Sequence, residues 1–91
     1  MSNPSCKEML RVASDRQEAE SSRLAAIRGL GELQSREAVE TLLDVGTRND
    51  EPEAILSAVG SALVSLQANG VTVSEWDLRD LAGPAAESFF A

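Results

Sequence analysis

The chain has 91 residues, of which 43% are hydrophobic and only 3% aromatic, and its formal net charge is −7. A chain of this length makes one small domain that buries only part of its unfolded surface, so its stability margin is thin. Lys7 is the only lysine, and this acidic balance argues against nucleic-acid binding, which relies on clustered Lys and Arg at the phosphates.

Apolar residues recur with a 3.6-residue period in the first third of the chain and predict two helices. The first covers residues 5–14, and the second covers about residues 18–34. Arg23 lies on the same arc of the second helix as its large apolar residues. Gly29 and Gly31 each cost about 1 kcal/mol relative to Ala in an exposed helix. Their presence predicts that the backbone of a neighbouring helix approaches closely.

Two more helices are predicted for the middle of the chain. The third covers about residues 35–46, with Ser35 as its N-cap and Gly46 as a left-handed residue at its end. The fourth covers about residues 51–68 and has Asp50 as its predicted N-cap. Together with the first two, these helices form two consecutive helix–helix units.

The end of the sequence predicts shorter elements. Gly70 ends the fourth helix, a fifth helix covers residues 74–81, and a last one covers residues 84–90. Phe89 and Phe90 occupy adjacent positions of that last helix, so both cannot readily face the core. We expect one of them to stay exposed and to serve as an anchor for a partner or for a second copy of the chain.

A gapless internal repeat organises the whole sequence. Residues 9–34 align with residues 42–67 at a spacing of 33 positions, and a fixed period in this range is typical of stacked helical repeats. Identical pairs include Val12 and Val45, Glu18 and Glu51, Ala25 and Ala58, and Leu30 and Leu63. We therefore predict one all-α domain, a short right-handed α-solenoid of about two and a half two-helix repeats. Repeat one covers about residues 5–34, repeat two about 35–69, and a partial capping repeat about 71–91.

Two segments resemble HEAT repeats. Residues 26–31 read Ala-Ile-Arg-x-Leu-Gly, and residues 37–43 read Glu-Ala-Val-x-x-Leu-Leu. This order resembles the short bacterial HEAT-like repeats that also occur in phycobilisome lyases, and the resemblance covers about residues 5–69. It implies an α-solenoid whose second helices line a concave face, and it implies no reaction. The sequence departs from the pattern at residues 61–64, where the Leu-Gly step does not recur.

Acidic residues recur at the start of the second helix in each repeat, where a negative charge favours the positive end of the helix dipole. They also predict an acidic edge of the stack that either docks a basic protein or is simply a solvated face. The residues of this acidic edge are Asp15, Glu18 and Glu20 in repeat one and Asp50, Glu51 and Glu53 in repeat two.

The predicted concave face is a second candidate site. It is formed by eight residues, Ser21, Ala25, Arg28 and Glu32 of repeat one and Ala54, Ala58, Ser61 and Ser65 of repeat two. Small side chains at this face leave room for a peptide or a helix to approach closely, or they merely allow the two helices to touch.

The absence of histidine limits the catalytic and metal sites that the chain can form. Without histidine it has neither a Ser-His-Asp triad nor a histidine–carboxylate iron site, so we expect no enzyme activity, no metal and no cofactor. Cys6 is the only cysteine, and no signal peptide or apolar run of about 18 residues is present. These features predict a cytoplasmic protein that does not bind membranes.

The combined expectation is a noncatalytic protein-binding module. An adaptor or an inhibitor of a basic partner fits the charge best, and an immunity-type protein that blocks a basic toxin domain is one form of it. The alternatives are a chromophore-lyase-like subunit, suggested only by the repeat type, and a structural unit that associates with itself through its C-terminal end.

Overall fold

The computed structural model describes residues 6–74 and 78–90 and shows an all-helical protein within them. The predicted all-α class is confirmed, and no strand is present in the described residues. The helix predicted for residues 74–81 includes three residues outside the described ranges. The described helices are α1 (Cys6–Ser14), α2 (Glu20–Gly31), α3 (Arg36–Gly46), α4 (Glu53–Ala68) and α5 (Gly83–Phe90).

The five helices share one aliphatic core. Helix α1 contacts α2 and α3, and α4 contacts α2, α3 and α5. We refer to α1 and α2 as the first pair and to α3 and α4 as the second pair. Burial of each large aliphatic side chain contributes about 1.5–3 kcal/mol of transfer free energy. The largest fully buried side chains include Ile27, Leu30, Leu42, Ile55, Leu63 and Leu66.

Glycines stand where neighbouring helices approach most closely. A Cβ atom on Gly31 would lie 3.1 Å from the Cα and Cβ atoms of Ala62, which confirms the predicted close approach of the backbone of another helix. Gly29 instead faces the thioether sulfur of Met9 in α1. Gly60 of α4 lies against the backbone of α5, because a Cβ there would be 2.3 Å from the carbonyl oxygen of Ala85.

Helix α3 begins as predicted, whereas α4 begins later than predicted. The Ser35 hydroxyl accepts a hydrogen bond from the Ala38 backbone N–H at 3.4 Å, which confirms the N-cap. The prediction of Asp50 as the N-cap of α4 is wrong, because Pro52 occupies that place and the helix starts at Glu53. Proline disfavours the helical conformation for the residue before it. Glu51 therefore belongs to a turn that precedes the helix, with its backbone N–H donating to the carbonyl oxygen of Arg48.

Two predicted helix ends also differ from the structure. Gly46 is not a left-handed residue but the last residue of α3, buried against Leu81 and Val59. Helix α2 starts at Glu20, two residues late, because the Asp15 carboxylate accepts a hydrogen bond from the Gln17 N–H and holds a turn there. The prediction for the end of α4 is confirmed: Gly70 has a φ of +91°, a conformation that suits glycine.

Candidate functional site

An open groove with a volume of about 520 Å³ runs between α2 and α4. It contains Arg28, Glu32, Ala54, Ala58, Ser61 and Ser65, so the structure brings together six of the eight residues predicted for the concave face. Ser21 and Ala25 lie outside it, and Ala25 instead lines a groove between α1 and α2. We call it the α2–α4 groove. Its α2 wall consists of Leu24, Arg28, Gly31 and Glu32, and its α4 wall of Ala54, Ser57, Ala58, Ser61, Ala62 and Ser65.

The shape of the α2–α4 groove follows from the small side chains in its walls. Gly31 and Ala62 bring the two helix backbones together at the floor of the groove. Ala54 and Ala58 add no bulk above that floor, and the serines add only short hydroxyl groups. The surface between the helices therefore stays concave, and a helix or an extended peptide can approach the backbone closely.

Arg28 is the arginine of this groove and differs from the other arginines that the structure describes. Each of the others makes an ion pair, a hydrogen bond or another electrostatic contact, whereas the exposed Arg28 makes none. A guanidinium group presents a rigid fork of N–H donors that fits a carboxylate. Glu32 lies one helical turn further along the same wall and is also exposed. The wall thus offers one donor group and one acceptor group to a bound segment.

One hydroxyl in the groove is already engaged. The Oγ atoms of Ser61 and Ser88 lie 2.8 Å apart and form a hydrogen bond between α4 and α5. Ser61 therefore contributes to holding α5 in place, in addition to lining the groove. Ser65, the other predicted serine, is exposed.

Glu51 is the centre of a buried ion-pair cluster rather than part of an exposed edge. Arg23 of α2 donates to both carboxylate oxygens of Glu51, with distances of 2.8 Å from Nη1 to Oε1 and 2.7 Å from Nη2 to Oε2. The two side chains are only 4% and 2% exposed. Arg23 also donates from Nε and Nη2 to the carbonyl oxygen of Ala13. The cluster thus ties the end of α1 to α2 and to the turn before α4.

Two further arginines complete the cluster. Arg48 donates from Nη1 to Glu51 Oε2 at 3.0 Å and to the carbonyl oxygen of Ser14 at 2.9 Å. Arg16 is hydrogen-bonded to Asp50, and its Nε lies 3.8 Å from Glu51 Oε2. The hydrogen bond from Arg23 is the main reason that the pKa of Glu51 lies below its ordinary value, and the one from Arg16 likewise lowers the pKa of Asp50.

The prediction of one continuous exposed acidic edge is therefore wrong at Glu51, which is buried. Asp50 is exposed but paired with Arg16, and Glu18 pairs loosely with Arg11 at 3.5 Å. Glu18, Glu20, Asp50 and Glu51 do line one hollow of about 290 Å³ before α4, but Arg16 and Arg23 line it too and offset their charge. Glu20 and Glu53 remain exposed.

Arg23 is the site residue that the sequence analysis did not select. Its position among the apolar residues of the α2 arc was the available clue, because a charged side chain on a buried arc requires a buried partner. The sequence pattern does not say which of the 15 acidic residues that partner is. The structure identifies it as Glu51, which is 28 positions further along the chain.

One phenylalanine of the C-terminal aromatic pair is exposed, as predicted. Phe90 is 67% exposed, whereas Phe89 is partly buried against the core. Their rings meet edge to face, with centroids 4.9 Å apart and an angle of 81° between the planes. One large apolar side chain is thus presented to solvent at the end of α5.

Comparisons with known proteins add no family to these observations. The chain matches no protein-family model, no curated protein and no solved structure. In the described part of the chain, no group of three or more Cys, Asp or Glu side chains is arranged to hold a metal ion. No described helix combines the length and the apolar character needed to cross a bilayer.

Proposed function

We propose that the protein is a noncatalytic protein-binding module, a short HEAT-like α-solenoid that acts as an adaptor or an inhibitor. The observation that carries this proposal is the α2–α4 groove, whose small-residue walls flank Arg28, an arginine without a partner among the described residues. A bound segment that places a carboxylate against Arg28 would gain a charge-assisted hydrogen bond. The groove is open and about 520 Å³ in volume, which suits one helix or one extended segment of a partner.

The charge of the molecule favours a basic partner. The chain has 15 acidic and 8 basic residues, and most of the described arginines already bind acidic groups of the protein itself. The acidic residues left at the surface include Glu20, Glu37, Glu53 and Glu87. A basic protein would be attracted to this surface before docking. An immunity-type inhibitor of a basic toxin domain is one protein that would have this charge.

Capture of binding proteins with groove variants tests the proposal. In Ala58→Trp the indole fills the centre of the α2–α4 groove, and Ala68→Trp places the same side chain on an exposed part of α4 outside the groove. We expect the wild type and Ala68→Trp to retain the same protein from a native lysate at low salt, and Ala58→Trp to lose it. If Ala58→Trp retains every protein that the wild type retains, the groove does not bind the partner.

Self-association is a second candidate, favoured by the 67% exposure of Phe90. Sedimentation velocity of the wild type and of Phe90→Ser measures it directly. A dimer that Phe90→Ser converts to a monomer would support self-association through α5. A monomeric wild type at concentrations up to about 1 mM would rule it out, because an association free energy of about −4 kcal/mol already corresponds to a dissociation constant of about 1 mM.

A further inference from the structure

A second groove lies between α1 and α2, and none of the residues that line it belongs to the second pair. Its volume is about 360 Å³, and α1 and α2 both contribute to it. Met9, Val12 and Ala26 provide an apolar surface, and Glu18 and Ser22 stand beside it. We call this surface the end groove.

The 33-residue repeat relates the end groove to a covered surface of the second pair. Met9 corresponds to Leu42 and Val12 to Val45, and both counterparts are fully buried, whereas Met9 and Val12 are only partly buried. The exposed Ser22 corresponds to Ile55, which is also fully buried. Each position is thus less covered in the first pair than in the second.

A comparison of Glu18 with its counterpart shows which arginine contact the end groove lacks. Its counterpart is Glu51, whose side chain is 2% exposed and is bound by Arg23 of the preceding pair, which donates to both of its oxygens, and by Arg48 of its own pair. The Glu18 side chain is 33% exposed, and within residues 6–74 and 78–90 its only ion pair is a 3.5 Å contact with Arg11. The second pair therefore receives an arginine-bearing helix at this position, and the first pair presents the same carboxylate to solvent.

We propose that the end groove binds an arginine-bearing amphipathic helix of a partner protein, with the arginine on Glu18 and aliphatic side chains on Met9 and Val12. The packing of α2 on the second pair is the precedent for this contact within the chain itself. One carboxylate at this position can accept hydrogen bonds from two guanidinium groups, because Arg23 and Arg48 both donate to Glu51. Arg11 beside Glu18 therefore does not prevent a second arginine from binding.

Helix α5 of a second copy does not provide the required helix. It packs on α4 of the second pair, and its sequence contains no arginine or lysine and carries the exposed Glu87. An acidic helix placed against Glu18 would be repelled. The occupant is therefore a basic helix of another protein, which agrees with the net charge of −7. This site is separate from the α2–α4 groove.

The arginine-bearing helix of the chain supplies the probe. A peptide with the sequence of residues 18–34 carries Ser21→Lys and Ala25→Asp, and a lactam bridge between these two side chains makes it helical; both positions lie on the exposed side of α2. Its affinity for the full-length protein is measured by isothermal titration. We expect Glu18→Gln in the protein, or Arg23→Gln in the peptide, to weaken binding by about tenfold, the usual worth of a hydrogen bond between charged groups.

Matched controls make the result decisive. Glu37→Gln changes the net charge equally at an exposed position of α3, and it should leave the affinity unchanged. Equal affinity for the wild type and Glu18→Gln, or no binding of the helical peptide, overturns the proposal. Ala58→Trp separates this site from the α2–α4 groove, because it should leave peptide binding intact. Loss of peptide binding in Ala58→Trp alone would place the peptide in the other groove and overturn the end-groove assignment.

Discussion

Glu18 and Glu51 occupy equivalent positions of the two helix pairs and have opposite environments. Glu51 is buried and bound by Arg23 and Arg48, whereas Glu18 is one-third exposed and makes one loose contact with Arg11. Part of the difference is local, because Arg48, three residues before Glu51, donates to it, whereas the residue three before Glu18 is Asp15. The neighbouring pair explains the rest, since Arg23 of α2 binds Glu51 and no pair precedes Glu18 in the described residues.

The difference in burial decides how much each carboxylate contributes to the stability of the fold. Breaking a buried ion pair leaves an uncompensated charge in the protein, whereas an exposed pair contributes little because water screens it. The position at Glu51 therefore holds the two pairs together, and the one at Glu18 remains available for an outside partner. One repeated residue thus has a structural role in one pair and a proposed binding role in the other.

The largest expected effect comes from removing the buried charge. Glu51→Gln leaves the Arg23 guanidinium buried without its carboxylate, and we expect a loss of about 3–5 kcal/mol in the free energy of unfolding. Glu18→Gln should cost less than about 1 kcal/mol. Urea denaturation of both variants measures the contrast. Equal costs for the two substitutions would show that the burial of Glu51 does not set its contribution.

Substitution of a glycine by alanine in α4 and in α2 compares how closely the neighbouring helices pack on these two helices. In Gly60→Ala the new Cβ meets the Ala85 carbonyl oxygen of α5 at 2.3 Å, so backbone has to move, and we expect a net loss of about 1–2 kcal/mol. In Gly29→Ala the new Cβ meets only the flexible Met9 sulfur, so the gain in helix propensity makes the variant neutral or up to about 1 kcal/mol more stable. Thermal unfolding of both variants tests this. A stable Gly60→Ala protein would contradict the close contact between α4 and α5.

A smaller effect concerns the free energy of unfolding at acid pH. The pKa of Glu51 in the folded protein lies below its ordinary value of 4.5, mainly because Arg23 donates to it. Its contribution to stability is therefore complete above about pH 4.5 and is lost as the pH falls through the lower pKa of the folded state. The stability difference between the wild type and Glu51→Gln should shrink below pH 4.5, as measured by urea denaturation at several pH values. A difference that stays constant down to pH 2 would contradict the ion-paired state of Glu51.

Local patterns were enough to predict much of the fold and part of the site. The Ser35 cap and the Gly70 stop depend on residues next to them in the sequence, and both predictions were confirmed. The helical period also placed Arg28 and Ser65 on facing helices, and they line one groove. The predicted solenoid and its HEAT-like repeats remain a proposal.

The errors at Glu51 and Gly46 occurred where a distant residue decides the structure, whereas those at Asp50 and at the start of α2 came from local turns. The sequence shows Glu51 as one acidic residue among several, and its burial depends on Arg23 from another helix. Gly46 resembles a helix-ending glycine, but Leu81 lies against it and leaves no room for a side chain. Sequence periodicity does not encode contacts of this kind between separate elements.

The most direct measurement extends the chain by one helix pair and repeats the Glu18 substitution. Residues 9–41 are inserted a second time after Thr41. Glu18 of the second copy then lies 28 positions after Arg23 of the first copy, which is the spacing of Arg23 and Glu51 in the natural chain. The Arg23 side chain of the first copy therefore faces Glu18 of the second copy. We expect the cost of Glu18→Gln in that second copy to rise from below about 1 kcal/mol to about 3 kcal/mol, measured by urea denaturation. A cost that stays below about 1 kcal/mol would show that the end groove is not the uncovered counterpart of the surface around Glu51.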